Sequence, residues 1–105
     1  MDQGSLKLIG NTPLIKLQNI KIPNDVEIWL KYEAGNPTGS YKDRMALSVI
    51  TQALTDGILK KGDRIVEYTG GSTGSSLAFV SASLGLKFTA IFSDAFSDSK
   101  RQTME

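Results

Sequence analysis

From Val26 onward, short runs with the two-residue rhythm of strands alternate with longer runs at helical spacing, and that order leaves few folds open. Val26 to Glu33 (VEIWLKYE) sets Ile28, Leu30 and Tyr32 against Glu27, Lys31 and Glu33, the alternation of a half-buried strand. A helix is expected from about Tyr41 to Asp56. Ser40 caps it, Asp43 suits the dipole of its first turn, Met45, Ala46, Val49, Ile50, Ala53 and Leu54 share one face, and Gly57 stops it. Arg64 to Thr69 (RIVEYT) is the next strand and about Thr73 to Leu84 the next helix, followed by Leu86 to Ser93 (LKFTAIFS) as a strand and a further helix opening at Ser97. An earlier strand is expected at Thr12 to Leu17 (TPLIKL). Such alternation is the pattern of right-handed βαβ crossovers, so the expected fold class is α/β, a three-layer sandwich with a largely parallel sheet covered by helices.

The 105 residues suffice for one small domain with one core. Twelve basic against eleven acidic residues, with no long run of either sign, give no electrostatic footprint for nucleic acid or an acidic membrane. No apolar stretch reaches membrane-spanning length, and Met1 to Ser5 lacks the basic and apolar regions of a signal peptide, so a cytoplasmic protein is expected. Without cysteine there is no disulfide or thiolate metal site, and without histidine the commonest general base is missing. Chemistry here must use lysine, hydroxyls, carboxylates or a cofactor. The run Ser97 to Glu105 reads as the first turns of a helix with no capping glycine and no final strand, so the chain is read as part of a longer protein.

One lysine stands where helix electrostatics disfavour it. In Asn36-Pro37-Thr38-Gly39-Ser40-Tyr41-Lys42-Asp43-Arg44 the turn-forming Asn-Pro and Thr-Gly pairs make residues 36 to 39 a loop, and Lys42 falls in the first turn of the helix that follows. The partial positive charge of a helix N-terminus repels a cation by up to about 1 kcal/mol. In a parallel α/β sheet this loop and the turn Thr69-Gly70-Gly71-Ser72-Thr73-Gly74-Ser75-Ser76 both lie at the carboxyl ends of strands, where ligands bind. The two are therefore expected to converge on one cleft.

The glycine-rich turn lies between a strand and a helix, a natural anion site, because backbone N–H groups point outward there and glycines admit a close ligand. A tight strand-to-helix turn can also use glycines and serine caps for purely structural ends. No Gly-Lys pair follows at the spacing of a Walker phosphate loop. A dinucleotide-binding module is nearly matched: Gly71 and Gly74 fit the fingerprint and Asp94 lies about 20 residues on, but Thr69 occupies the first glycine position. Gly70 to Gly74 also fits G-x-S-x-G, which would make Ser72 the nucleophile of an α/β-hydrolase, with no histidine in the chain to activate it. A fourth reading joins the loops: Lys42 as an imine-forming amine facing a cradle for an amino-acid carboxylate, a pyridoxal phosphate site.

Four stretches in order resemble the cysteine synthase and cystathionine β-synthase family of pyridoxal-phosphate-dependent enzymes, of fold type II, the tryptophan-synthase-β-like class. They are Ile9 to Leu14 (IGNTPL), Asn36 to Arg44 (NPTGSYKDR), Thr69 to Gly74 (TGGSTG) and Ser97 to Arg101 (SDSKR). The resemblance implies that Lys42 carries pyridoxal 5'-phosphate and, once the substrate amine displaces it, removes the substrate's α-proton. It implies that Thr69, Gly70, Gly71 and Thr73 hold the substrate carboxylate and that Ser72 faces the cofactor's ring oxygen.

Two residues depart from the family's usual Thr-Ser-Gly-Asn-Thr-Gly. Gly70 replaces the serine, removing a hydroxyl, and Ser72 replaces the asparagine with a shorter donor. The expected activity is cysteine synthase-like β-replacement on O-acetylserine or a similar substrate, with serine or threonine dehydratase-type β-elimination also open. The resemblance further implies that residues 1–36 pack on a larger carboxyl-terminal domain absent from this sequence, that residues 37–105 are a truncated small α/β domain, that the parent is a homodimer, and that this chain alone is inactive.

Overall fold

The computed structural model describes residues 4–93 and residue 102. The helix expected from Ser97 and the acid Asp94 lie outside the described residues. Six elements follow in order: β1 (Leu14–Lys16), β2 (Trp29–Lys31), α1 (Lys42–Thr55), β3 (Arg64–Tyr68), α2 (Ser72–Ser83) and β4 (Lys87–Ile91), with short 3-10 turns at Gly4–Leu8 and Glu33–Gly35. Each expected strand and helix from Thr12 to Ser93 is present, most of them shorter than expected and α2 starting one residue earlier, at Ser72.

α2 holds the centre. Gly74, Ser75, Ser76, Leu77, Val80 and Ser81 are all buried, which only a helix covered on several sides achieves. Small side chains let neighbours approach closely, and α2 packs on α1, on β3 and β4, and on the 3-10 turn at Gly4–Leu8. The core is Leu6, Ala46, Ile50, Leu77, Val80 and Leu86. Leu6 is thus carried in from the amino-terminal segment to complete a core otherwise built by α1, α2 and the turn into β4.

β3 and β4 pair in parallel, Ile65 beside Phe88 and Tyr68 beside Ile91, with α2 as the crossover. Ile65 and Phe88 turn to the core, while Val66, Tyr68 and Ile91 are exposed on the other face. The second strand does not join this sheet, as the sequence suggested it would. β2 pairs antiparallel with β1, Ile15 opposite Leu30, in a separate two-stranded sheet. Nearness in sequence lowers the cost of closing that pair, and the ion pair Lys16–Glu27 at 3.3 Å adds to it. Leu14, Ile15, Trp29 and Leu30 of this hairpin are all exposed. An apolar recess of ≈ 290 Å³ remains between α1, β3 and α2, lined by Met45, Val49, Ile65 and Leu77 among others.

Gly85 ends the α2-to-β4 turn with φ of +73, and its carbonyl accepts the Gly62 N–H at 2.9 Å. A Cβ there would meet Lys61 Cε at 2.9 Å. Gly85→Ala combines left-handed strain with that contact, so it lowers stability by about 1 to 2 kcal/mol, read as a fall in the urea midpoint at unchanged slope.

Candidate functional site

Lys42 is the first residue of α1 and is half-buried. The loop before it turns at Gly39, whose φ of +82 suits only glycine without strain and whose N–H bonds the Asn36 carbonyl at 2.8 Å. The Ser40 hydroxyl accepts the Lys42 N–H at 3.1 Å, but Tyr41 takes the cap position, so Ser40 stands one residue ahead of the cap expected of it. The ammonium lies 5.1 Å from the centre of the Tyr41 ring, a cation–π contact that holds the side chain beside its neighbour.

Two polar clusters fix the lysine's backbone. In the first, Asp43 is fully buried, and its carboxylate accepts the Thr38 N–H at 2.9 Å, the Thr38 hydroxyl at 2.5 Å and the Ser76 hydroxyl at 2.6 Å. In the second, Arg44 grips Glu33 with two nitrogens, Nε to Oε1 at 2.5 Å and Nη2 to Oε2 at 3.1 Å. Thr12 donates its hydroxyl to the same carboxylate and receives Arg44 Nη2 at 3.2 Å. Asn36, also buried, donates to the Glu33 carbonyl at 2.8 Å and accepts the Gly10 N–H at 2.7 Å. This cluster gathers the Gly10–Thr12 loop, the 3-10 turn at Glu33–Gly35 and the start of α1 into one joint. At Gly10, with φ of +84, a Cβ would lie 3.1 Å from Arg44 Nη1, so the guanidinium needs a glycine there.

The glycine-rich turn runs from the end of β3 into α2. Thr69 is buried and its N–H extends the parallel ladder to the Ile91 carbonyl at 2.9 Å. Gly71 precedes the helix, and no side chain caps it. The Gly74 N–H bonds the Gly71 carbonyl at 3.0 Å, which leaves the Ser72 and Thr73 amides of the first turn without a carbonyl or side-chain partner from the helix itself. Residues 67–73 line an open recess of ≈ 640 Å³ at this point. Its donors are those amides and the hydroxyls of Thr69, Ser72 and Thr73, a set that fits a carboxylate, while the nearby lysine amine fits an aldehyde.

All five turn positions singled out in the sequence, Thr69, Gly70, Gly71, Ser72 and Thr73, line the recess. Lys42 does not. It stands at the neighbouring helix N-terminus, tied to α2 through Asp43 and Ser76. Reasoning from sequence missed Asp43, Ser76 and the Glu33–Arg44 joint. A signal existed: Asp43 is three and seven residues before the buried Ala46 and Ile50, and Ser76 is four before Val80, so both fall on core-facing stripes.

A family model described as "Pyridoxal-phosphate dependent enzyme" matches residues 6–105, and the chain belongs to that family. It is 46% identical over 96 residues to cysteine synthase B of Escherichia coli (strain K12), covering 91% of this chain and 32% of that protein. It is 44% identical over 97 residues to O-ureido-L-serine synthase of Streptomyces lavendulae, covering 92% and 30%. The crystal structure of a hydrogen sulfide-producing enzyme from Fusobacterium nucleatum superposes with a TM-score of 0.91 at 40% identity, over 95% of this chain and 33% of that one. The fold is thus that of fold-type-II pyridoxal phosphate enzymes, and the chain spans about a third of the length of the curated relatives it matches. The hydrolase and dinucleotide readings of the turn find no counterpart in these matches.

Arg44 and Thr12 hold the Glu33 carboxyl down to about 2, from an ordinary 4.5. The folded value lies below the unfolded one, so the joint's contribution is complete above about 4.5 and is lost as pH falls toward 2. Glu33→Gln removes that dependence. The fall in melting temperature between pH 5 and pH 3 is expected to be shallower in the variant than in the parent, as thermal unfolding followed by circular dichroism would record.

Proposed function

We propose that the protein carrying this chain replaces the β-substituent of an amino acid in the manner of cysteine synthase, with O-acetylserine or a close analogue as substrate. The observation that carries this reading is the joining of two helix N-termini, one bearing Lys42 and the other an uncapped, hydroxyl-rich turn. Pyridoxal phosphate, when bound, supplies the electron sink that lets a carbon acid ionise. The chain's own residues do the rest. Lys42 is the amine that carries the cofactor and, freed by the substrate's amino group, takes the proton from the substrate Cα through Nζ. Amides of α2 with Thr69, Gly70, Gly71 and Thr73 bind and orient the carboxylate, and Ser72 turns its hydroxyl to the cofactor ring.

In the net reaction the β-substituent departs with its bonding electrons, as acetate from O-acetylserine, and a nucleophile such as hydrogen sulfide ion bonds the same carbon. The Cα proton is then restored. Names among the relatives, cysteine synthase and O-ureido-L-serine synthase, support a synthase with a variable nucleophile. Gly70 offers one hydroxyl fewer than the family pattern, which keeps dehydratase-type β-elimination as a second reading.

We assign residues 1–36 to packing on a larger domain and residues 37–105 to the small one. The exposed Leu14, Ile15, Trp29 and Leu30 of the hairpin support this division, while Leu6 packs in the core of the smaller part. A cytoplasmic homodimer is the proposed working form; among the described residues no helix is long and apolar enough to cross a membrane. The 105-residue chain alone is expected to give no measurable turnover.

Borohydride reduction of the cofactor-loaded protein, followed by peptide mass spectrometry, should place pyridoxyl on Lys42. Lys42→Ala abolishes that adduct and lowers turnover by about 10²- to 10⁴-fold. Labelling of Ser72 by a fluorophosphonate, with no adduct on Lys42, would overturn the reading. Gly70→Ser adds a donor to the carboxylate and lowers KM about tenfold, equivalent to about 1.4 kcal/mol; an unchanged KM removes Gly70 from the carboxylate site.

A further inference from the structure

Asp43 is the one charged residue that is buried among the described residues. A carboxylate withdrawn from water costs several kcal/mol unless hydrogen bonds replace its hydration. Thr38 supplies two of them from within the same loop, N–H to Oδ2 and hydroxyl to Oδ1. The third differs in kind. It comes from Ser76, which is fully buried in α2, 33 residues along the chain, and it shares Oδ1 with Thr38. The two hydroxyl oxygens are themselves 3.4 Å apart, so acceptor and donors form one closed knot.

Packing alone gives no reason for serine at this place. In a helix interior alanine is favoured over serine by a few tenths of a kcal/mol, and a buried hydroxyl adds a desolvation cost. At Ser76 the hydroxyl is spent on Asp43. Position matters as much as energy. Asp43 follows Lys42 directly, and Ser76 lies three and four residues after Thr73 and Ser72, one helical turn behind the recess. A bond of 2.6 Å between them fixes the separation of the lysine-bearing backbone from the turn to within a few tenths of an ångström.

We propose that the Ser76–Asp43 hydrogen bond is a positioning strut that sets Lys42 Nζ against the α2 turn, making Ser76 and Asp43 positioning residues for proton transfer at the substrate Cα. This rests on the reading of Lys42 given above. Misplacing a catalytic group by about 1 Å can cost about 10²-fold in rate, and loss of one strut with both Thr38 bonds intact permits a smaller shift. Ser76→Ala therefore lowers kcat about tenfold with KM within twofold, at a temperature well below unfolding. It also slows the capture of free pyridoxal phosphate by Lys42 in the cofactor-stripped protein, measured as borohydride-trapped adduct against time, and speeds hydrogen exchange at the Thr38 amide. Ser76→Thr, which keeps the hydroxyl, restores capture to within twofold.

Should the threonine variant fail to fold, Asp43→Asn tests the strut from its other end. Its carboxamide cannot accept all three donors as the carboxylate does, and it reproduces the slow capture. The strut is overturned if Ser76→Ala lowers the melting temperature yet leaves kcat, capture rate and Thr38 exchange unchanged, since the bond then serves stability alone. Failure of the underlying reading looks different: no adduct forms on Lys42 in the parent protein, whatever stands at residue 76.

Discussion

A carboxylate taken out of water must be repaid in hydrogen bonds, and at Asp43 that requirement organises the chain. Its donors come from the loop before α1 and from the middle of α2, so satisfying one buried oxygen fixes how two helices begin relative to each other. The helices then share Ala46, Ile50, Leu77 and Val80 in a common core. Apolar burial supplies most of the driving force, but it is non-directional and tolerates sliding. Three bonds to one side chain do not. Around this point the Glu33–Arg44 joint fastens the amino-terminal loop and hairpin, so the two residues that follow the lysine are each anchored.

Much of this architecture could be read from residue spacing. Ala46 and Ile50 on α1, and Leu77 and Val80 on α2, announce helices because an apolar face repeats with the helical period, and Gly57 and Gly85 sit where helices need a left-handed residue to stop. The partner of β2 was not legible. Its alternation marks a strand but says nothing of which edge it joins, and local pairing with β1 prevailed over the parallel sheet.

The site was legible in halves. Lys42 and the Thr69–Thr73 turn each stood out by motif, and strand order predicted that they converge on one cleft; the fold does set their helices side by side, but Lys42 stays outside the recess that the turn lines. Asp43 was read as a charge suited to a helix dipole. Its true surroundings follow from its register with Ala46 and Ile50, a clue outweighed by the habit of placing acids in water. Arg44 and Glu33 lie on different elements, and no periodicity links them.

The two hydroxyl bonds to Asp43 have nearly equal lengths, yet they differ in the chain they must close. Thr38 is five residues away and Ser76 is 33. Closing the longer loop costs about 1.7 kcal/mol more in chain entropy. During synthesis the local pair can form as soon as Asp43 emerges, whereas the third bond waits for α2 to be made and docked. The lysine's surroundings therefore mature in two stages, and a nascent chain arrested between them holds Lys42 at a helix start that is shaped but not yet docked on its neighbour.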